Sequence, residues 1–189
     1  MAVLPIYNCF HPVMTKKTTP VQEIDDSIKE LINNMFDTMY NTKRGVGLSA
    51  NQVGSNLSIV VIDVSEIRGF ETELPFIMIN PVILEYSQET EIQEEGCLSI
   101  PILYDEVERS VSIKIRYQDI LGKEIERTTT GFLARVMQHE VDHLNGLNFY
   151  NRLSTLRKNI SSNKMKKLKK GIYEVDYDMI DADNTKHNA

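Results

Sequence analysis

Apolar residues recur at helical spacing in one N-terminal stretch: Ile28, Leu31, Ile32, Met35, Phe36 and Met39. This stripe predicts a helix running to about Tyr40, capped by Asp25 or Asp26. Before it, Leu4 to Pro20 reads as an extended lead-in broken by Pro5, Pro12 and Pro20; after it, Gly45 and Gly47 open a loop. The period then changes from helix to strand. Leu57 to Val64 is a β-branched run suited to a buried strand, and Phe76 to Glu85 and Thr90 to Leu98 continue as strands, Pro81 requiring an edge or a bulge in the first. Val107, Arg109, Val111, Ile113 and Ile115 alternate, which predicts one strand through Tyr117, followed by a turn at Asp119 to Lys123 and a strand from Glu124 to Thr129. Thr129 or Thr130 then caps a second helix with Phe132, Val136, His139 and His143 on one stripe and Gly146 at its C-terminal cap. A last helix spans Leu153 to Lys170, entered at Ser154. The order predicts an α+β fold, with mostly antiparallel sheets packed around the second helix and further helices near each end. Residues 1–170 read as a single domain, and 171–189 as a weakly ordered acidic tail.

The second helix carries the chemistry. In Gln138-His139-Glu140-Val141-Asp142-His143, the two imidazoles are four residues apart, on one helical face and one turn apart. That spacing lets both reach one divalent ion, with Glu140 beside them to contact a water. The chain holds only four histidines, which argues against chance pairing on a solvated helix face. Asp142 points about 160° away from Glu140 round an α-helix, so a supporting role fits it better than a catalytic one.

A third ligand is needed, and the downstream sequence does not provide it. Metzincin proteases place Gly three and His six residues beyond the second His; here Gly146 fills the first place but Phe149 the second. No Asp or Glu occurs from Leu144 to Tyr173. The ligand must lie upstream, and Cys97 in Glu95-Gly96-Cys97-Leu98-Ser99 is the outstanding candidate, at the end of a polar strand after a glycine that permits close approach. Cys9 reads instead as a buried hydrophobe. A closed structural zinc site would need a fourth protein donor, for which only Cys9 and His11 remain; an endopeptidase built on the same helix is the other rival.

A hydrophobic content of 41% and a charged content of 25% suit a soluble globular chain. Two cysteines give no disulfide framework, and a thiolate ligand requires a reducing compartment. Met1 to Pro12 has neither signal-peptide nor transit-peptide character, and no apolar run approaches membrane-spanning length. A cytoplasmic location without membrane contact is expected. A net charge of −6 argues against DNA binding. The charge is uneven, however: eight cations and no acid lie between Arg152 and Lys170, and acids dominate thereafter.

Three blocks in this order and spacing resemble the signature motifs of the peptide deformylases: Gly45-Val46-Gly47-Leu48-Ser49-Ala50-Asn51-Gln52, Glu95-Gly96-Cys97-Leu98-Ser99 and Gln138-His139-Glu140-Val141-Asp142-His143-Leu144-Asn145-Gly146. Ser49 stands where the family usually has Ala. The resemblance runs from about Leu4 to Lys170 and makes that span a catalytic domain. It implies removal of the formyl group from nascent N-formyl-methionyl polypeptides. It implies Cys97, His139 and His143 as ligands of one divalent ion, Fe2+ physiologically, although Zn2+, Ni2+ or Co2+ also suit this donor set. Glu140 would be the general base, and the Gln52 amide and Leu98 N–H would meet the charge developing on the attacked carbonyl. Val46, Gly47, Gly96, Phe132 and Arg135 would border the substrate, with the Arg135 head at the pocket mouth. Glu95 and Arg109 would brace the cysteine strand. The basic helix 153–170 would contact the ribosome, unless the acidic tail folds back to mask it.

Overall fold

The computed structural model describes residues 2–42 and 44–187. A short strand β1 (Ile6–Tyr7) leads to helix α1 (Asp26–Asn41) through a segment that, where an extended lead-in was expected, holds a 3-10 turn at Pro12–Thr15 capped by His11. The Asp25 carboxylate caps α1, accepting from the Ile28 N–H at 2.9 Å. The apolar stripe of α1 buries Ile28, Ile32, Met35 and Met39 against β2 (Gly47–Ser49) and β3 (Ile59–Ile62). Gly47, expected in a loop, thus begins a buried strand.

Strands β2, β3 and β4 (Phe76–Tyr86) continue into β5 (Thr90–Cys97), β6 (Ile100–Ser110), β7 (Ser112–Gln118) and β8 (Glu124–Thr130). An antiparallel five-stranded sheet has the order β2-β3-β4-β7-β8, and β5 and β6 form a separate antiparallel hairpin. The Pro81 irregularity is a bulge: pairing shifts between Ile79 and Val82, where Asn80 has φ 53°. The strand expected from Val107 to Tyr117 is two strands in different sheets. The chain bends at Val111, whose N–H donates to the Glu89 carbonyl and whose own carbonyl accepts from Gly131.

Helix α2 (Gly131–Leu144) lies between the sheet and the hairpin, almost entirely buried. It begins at Thr130 and ends at Gly146 in the left-handed conformation, φ 74°. The Gly146 and Leu147 N–H groups donate back to the His143 and Asp142 carbonyls, which satisfies the helix end. Helices α3 (Phe149–Arg152) and α4 (Thr155–Lys169) follow, the latter capped by Ser154 and packed on β6.

The tail differs from expectation. Strands β9 (Met179–Ile180) and β10 (Lys186–His187) form a small sheet with β1, in the order β1-β9-β10 and with β1 and β9 parallel. Tyr173, Val175, Tyr177 and Met179 all pack into the α1 core. Alternate apolar residues give the segment one face to bury, so it does not stay solvated. The architecture is α+β, with three sheets and α2 at the centre.

Candidate metal centre and catalytic cleft

A helix buried on all sides must pair nearly all the polar groups it carries, and α2 does so for Arg135, His139, Asp142 and His143. His139 donates from Nδ1 to Glu95 Oε2 at 2.9 Å, and His143 from Nδ1 to the Leu147 carbonyl at 3.1 Å. These bonds fix both tautomers, because neither acceptor can donate. The two Nε2 lone pairs therefore face inward, 3.2 Å apart, and Cys97 Sγ lies 3.2 Å from His143 Nε2. All three donor atoms fall within 4.8 Å of one another. With Cys97 as a thiolate, one sulfur and two imidazole nitrogens converge, a donor set that a divalent cation fits. Cys97 reaches this point because it ends β5 at a two-residue hairpin, where the register shifts between Glu95 and Cys97.

Glu140 enters from the same turn of α2. It is 4% exposed, burial pushes its carboxyl up to about 7, and its Oε2 has no hydrogen-bond partner among the described residues. Gly47 explains how it fits: a Cβ there would lie 2.7 Å from Glu140 Oε1. Gly96 is similarly constrained by the Tyr104 ring, which occupies the place where its Cβ would stand. Gln52 has its orientation settled by its neighbours. The Ser49 N–H and hydroxyl both approach Oε1, at 3.0 and 2.9 Å, so Nε2 must face Cys97 Sγ at 3.6 Å and Ser99 Oγ at 3.4 Å.

These groups open on a cleft of about 690 Å³. Val46, Gly47, Gln52, Gly96, Cys97, Leu98, Phe132, Arg135, His139 and Glu140 all line it, while His143 is fully buried beneath. Arg135 departs from expectation. Its guanidinium does not reach the mouth; it is buried and donates to Glu95 Oε1 at 2.8 Å and to the Val107 and Glu91 carbonyls at 2.9 and 2.7 Å. A buried carboxylate one strand away is a stronger partner than half-screened water.

Arg109 holds Glu95 through two bonds of 2.6 and 3.0 Å and reaches Asp142 at 2.8 Å. Burial raises the carboxyl pKa of Glu95, but His139 and Arg109 more than offset this and hold it well below the usual carboxylate range. Asp142 is thus a support, as its helical angle suggested, and Arg152 completes its shell at 2.5 and 3.1 Å. Sequence reasoning missed that role of Arg152, because the burial of Asp142 that calls for a second cation is visible only in the fold. Cys9 is buried in a hydrophobic cluster against which Cys97 also packs, its thiol pKa pushed up by burial and then by Cys97, and His11 pairs with Asn184. Among the described residues, the cluster able to hold a metal comprises only Cys97, His139 and His143, so no fourth protein donor closes it.

An α+β fold with this open donor set beside an unpaired buried carboxylate defines a metal-dependent hydrolase. The family model for polypeptide deformylase matches residues 3–159. A peptide deformylase of Brucella suis is 40% identical, covering 89% of this chain and 94% of its own length. One of Salinibacter ruber is 39% identical and covers 96% of both. The crystal structure of a peptide deformylase from Legionella pneumophila superposes with a TM-score of 0.79 at 38% identity, over 89% of this chain and 96% of that one. The chain belongs to the polypeptide deformylase family, enzymes that hydrolyse the formyl group from newly made polypeptides.

Proposed function

We propose that this chain releases formate from the N-terminal formyl-methionine of nascent polypeptides, with Cys97, His139 and His143 holding one divalent ion, ferrous iron in the cell. The convergence of those three donors beside the unpartnered Glu140 carboxylate carries this reading. A divalent ion in that position supplies Lewis acidity and makes hydroxide available near neutral pH. Glu140 takes the proton of the attacking water and later delivers it to the departing amine. The Gln52 Nε2 and the Leu98 N–H receive the negative charge that develops on the formyl oxygen. Val46 and Phe132, which line the cleft, accept the methionine side chain. The second edge of β2, unpaired in its sheet, and Gly96 let an extended peptide lie beside the backbone as an added strand.

The cations of α4 support docking to ribosomal RNA in a cytoplasmic enzyme. Part of the 152–170 charge is already used within the molecule, since Arg152 holds Asp142 and Arg157 pairs with Asp105 and Glu106. Among the described residues, no helix is long and apolar enough to cross a membrane. The test is an assay of the metal-loaded chain on a formyl-Met dipeptide against an N-blocked peptide cleaved internally. Formate from the first and no cleavage of the second is expected; cleavage of the second alone would end the assignment.

A further inference from the structure

The family match ends at residue 159, yet Glu174, Val175, Asp176 and Tyr177 line the catalytic cleft. They are held there from several directions. Gly171, at φ 67°, turns the chain out of α4. Asp181, 6% exposed, accepts from the Tyr173 hydroxyl at 2.6 Å and from Asn8 Nδ2 at 2.9 Å, and pairs with His187 at 2.6 Å. Strand β9 adds to β1 immediately afterwards. Tyr177 is 7% exposed, and its hydroxyl donates to the Leu98 carbonyl at 2.7 Å, bonding the tail to the hairpin turn that follows Cys97.

Burial alternates along the segment. Val175 and Tyr177 face the core, while Glu174 and Asp176 are exposed at the cleft. Among the described residues, the exposed charges lining this cleft are Arg44 against Glu94, Glu174 and Asp176. Arg44 sits by the Tyr104 hydroxyl and the Asp176 carboxylate, both of which raise its pKa. The mouth is therefore acidic, and the unpartnered Glu140 oxygen marks where the reacting end of a peptide must lie inside.

We propose that Glu174–Tyr177 is a specificity-determining wall of the cleft, seated on Leu98 by Tyr177, whose Glu174 and Asp176 carboxylates favour peptides with cationic side chains after the first residue. This rests on the deformylase reading. A peptide running along this wall meets its exposed carboxylates, which attract a lysine there with a salt-dependent, modest effect.

The experiment measures kcat/KM of the full-length, metal-loaded chain on formyl-Met-Lys-Lys, formyl-Met-Ala-Ala and formyl-Met-Glu-Glu at low and high salt. The native chain should prefer the lysine peptide over the glutamate peptide by roughly threefold to tenfold, compressed by salt. The E174Q/D176N double variant should lose most of that ratio. Tyr177→Phe should keep its metal yet also narrow the ratio, because the wall has lost its bond to Leu98. Equal use of the lysine and glutamate peptides by the native chain, or an unchanged ratio in the double variant, would overturn the proposal. Native selectivity in Tyr177→Phe would remove Tyr177 from it. Formate from none of the three peptides would instead strike at the deformylase reading itself.

Discussion

Replacing Glu140 by Gln is expected to lower formate release by roughly two to four orders of magnitude while the chain keeps its metal, the range general acid–base groups contribute. Glutamine has nearly the same shape, so it fits the space that Gly47 leaves for it. It cannot take a proton from water or return one to the leaving amine. The donors proposed for the ion are Cys97, His139 and His143, and none of their hydrogen bonds runs to Glu140. Among the described residues, Glu140 Oε2 has no hydrogen-bond partner, so its replacement by an amide group strands none there. Formate release together with elemental analysis of the same preparation checks this. Turnover within tenfold of native would remove Glu140 from the mechanism.

Arg109→Met should cost about 3–5 kcal/mol of stability, as breaking a buried ion pair does when it leaves the partner charge behind. The Arg109 side chain is only 3% exposed, and the carboxylates it joins, Glu95 and Asp142, are 6% and 7% exposed. Arg135 still reaches Glu95 and Arg152 still reaches Asp142, but each acid loses its most buried cation. The variant bears on the metal too. Glu95 orients His139, so a loosened Glu95 should weaken metal affinity by about tenfold to a hundredfold, the usual effect of disturbing such a support. Urea unfolding and competition with a chelator measure the two effects separately. A destabilisation below about 1 kcal/mol would show that Arg109 is not the central tie described here.

The helices and the His139–His143 pair were readable because each depends on a short local period, whereas Cys97 was reached only by elimination and by resemblance. The α1 stripe, the Asp25 cap and the His139–His143 spacing all sit within a few turns of one helix. What escaped depends on partners distant in sequence. Val111 keeps the alternation of Val107 and Ile113 in phase through a bend, with no Gly or Pro to mark that two sheets meet there. The Arg135 head was assigned to the cleft mouth because nothing local says that Glu95, Glu91 and Val107 lie across from it. The tail looked solvated on composition, although Tyr173, Val175, Tyr177 and Met179 carry a strand period that acids interleave without breaking. That period was the one signal that could have placed these residues against the cleft.

X-ray absorption at the metal edge of the loaded native chain bears most directly on the central claim, that one thiolate and two imidazoles share a single ion. One sulfur and two histidine nitrogens from the protein, at one ion per chain, is the predicted result. A coordination sphere without sulfur would contradict it.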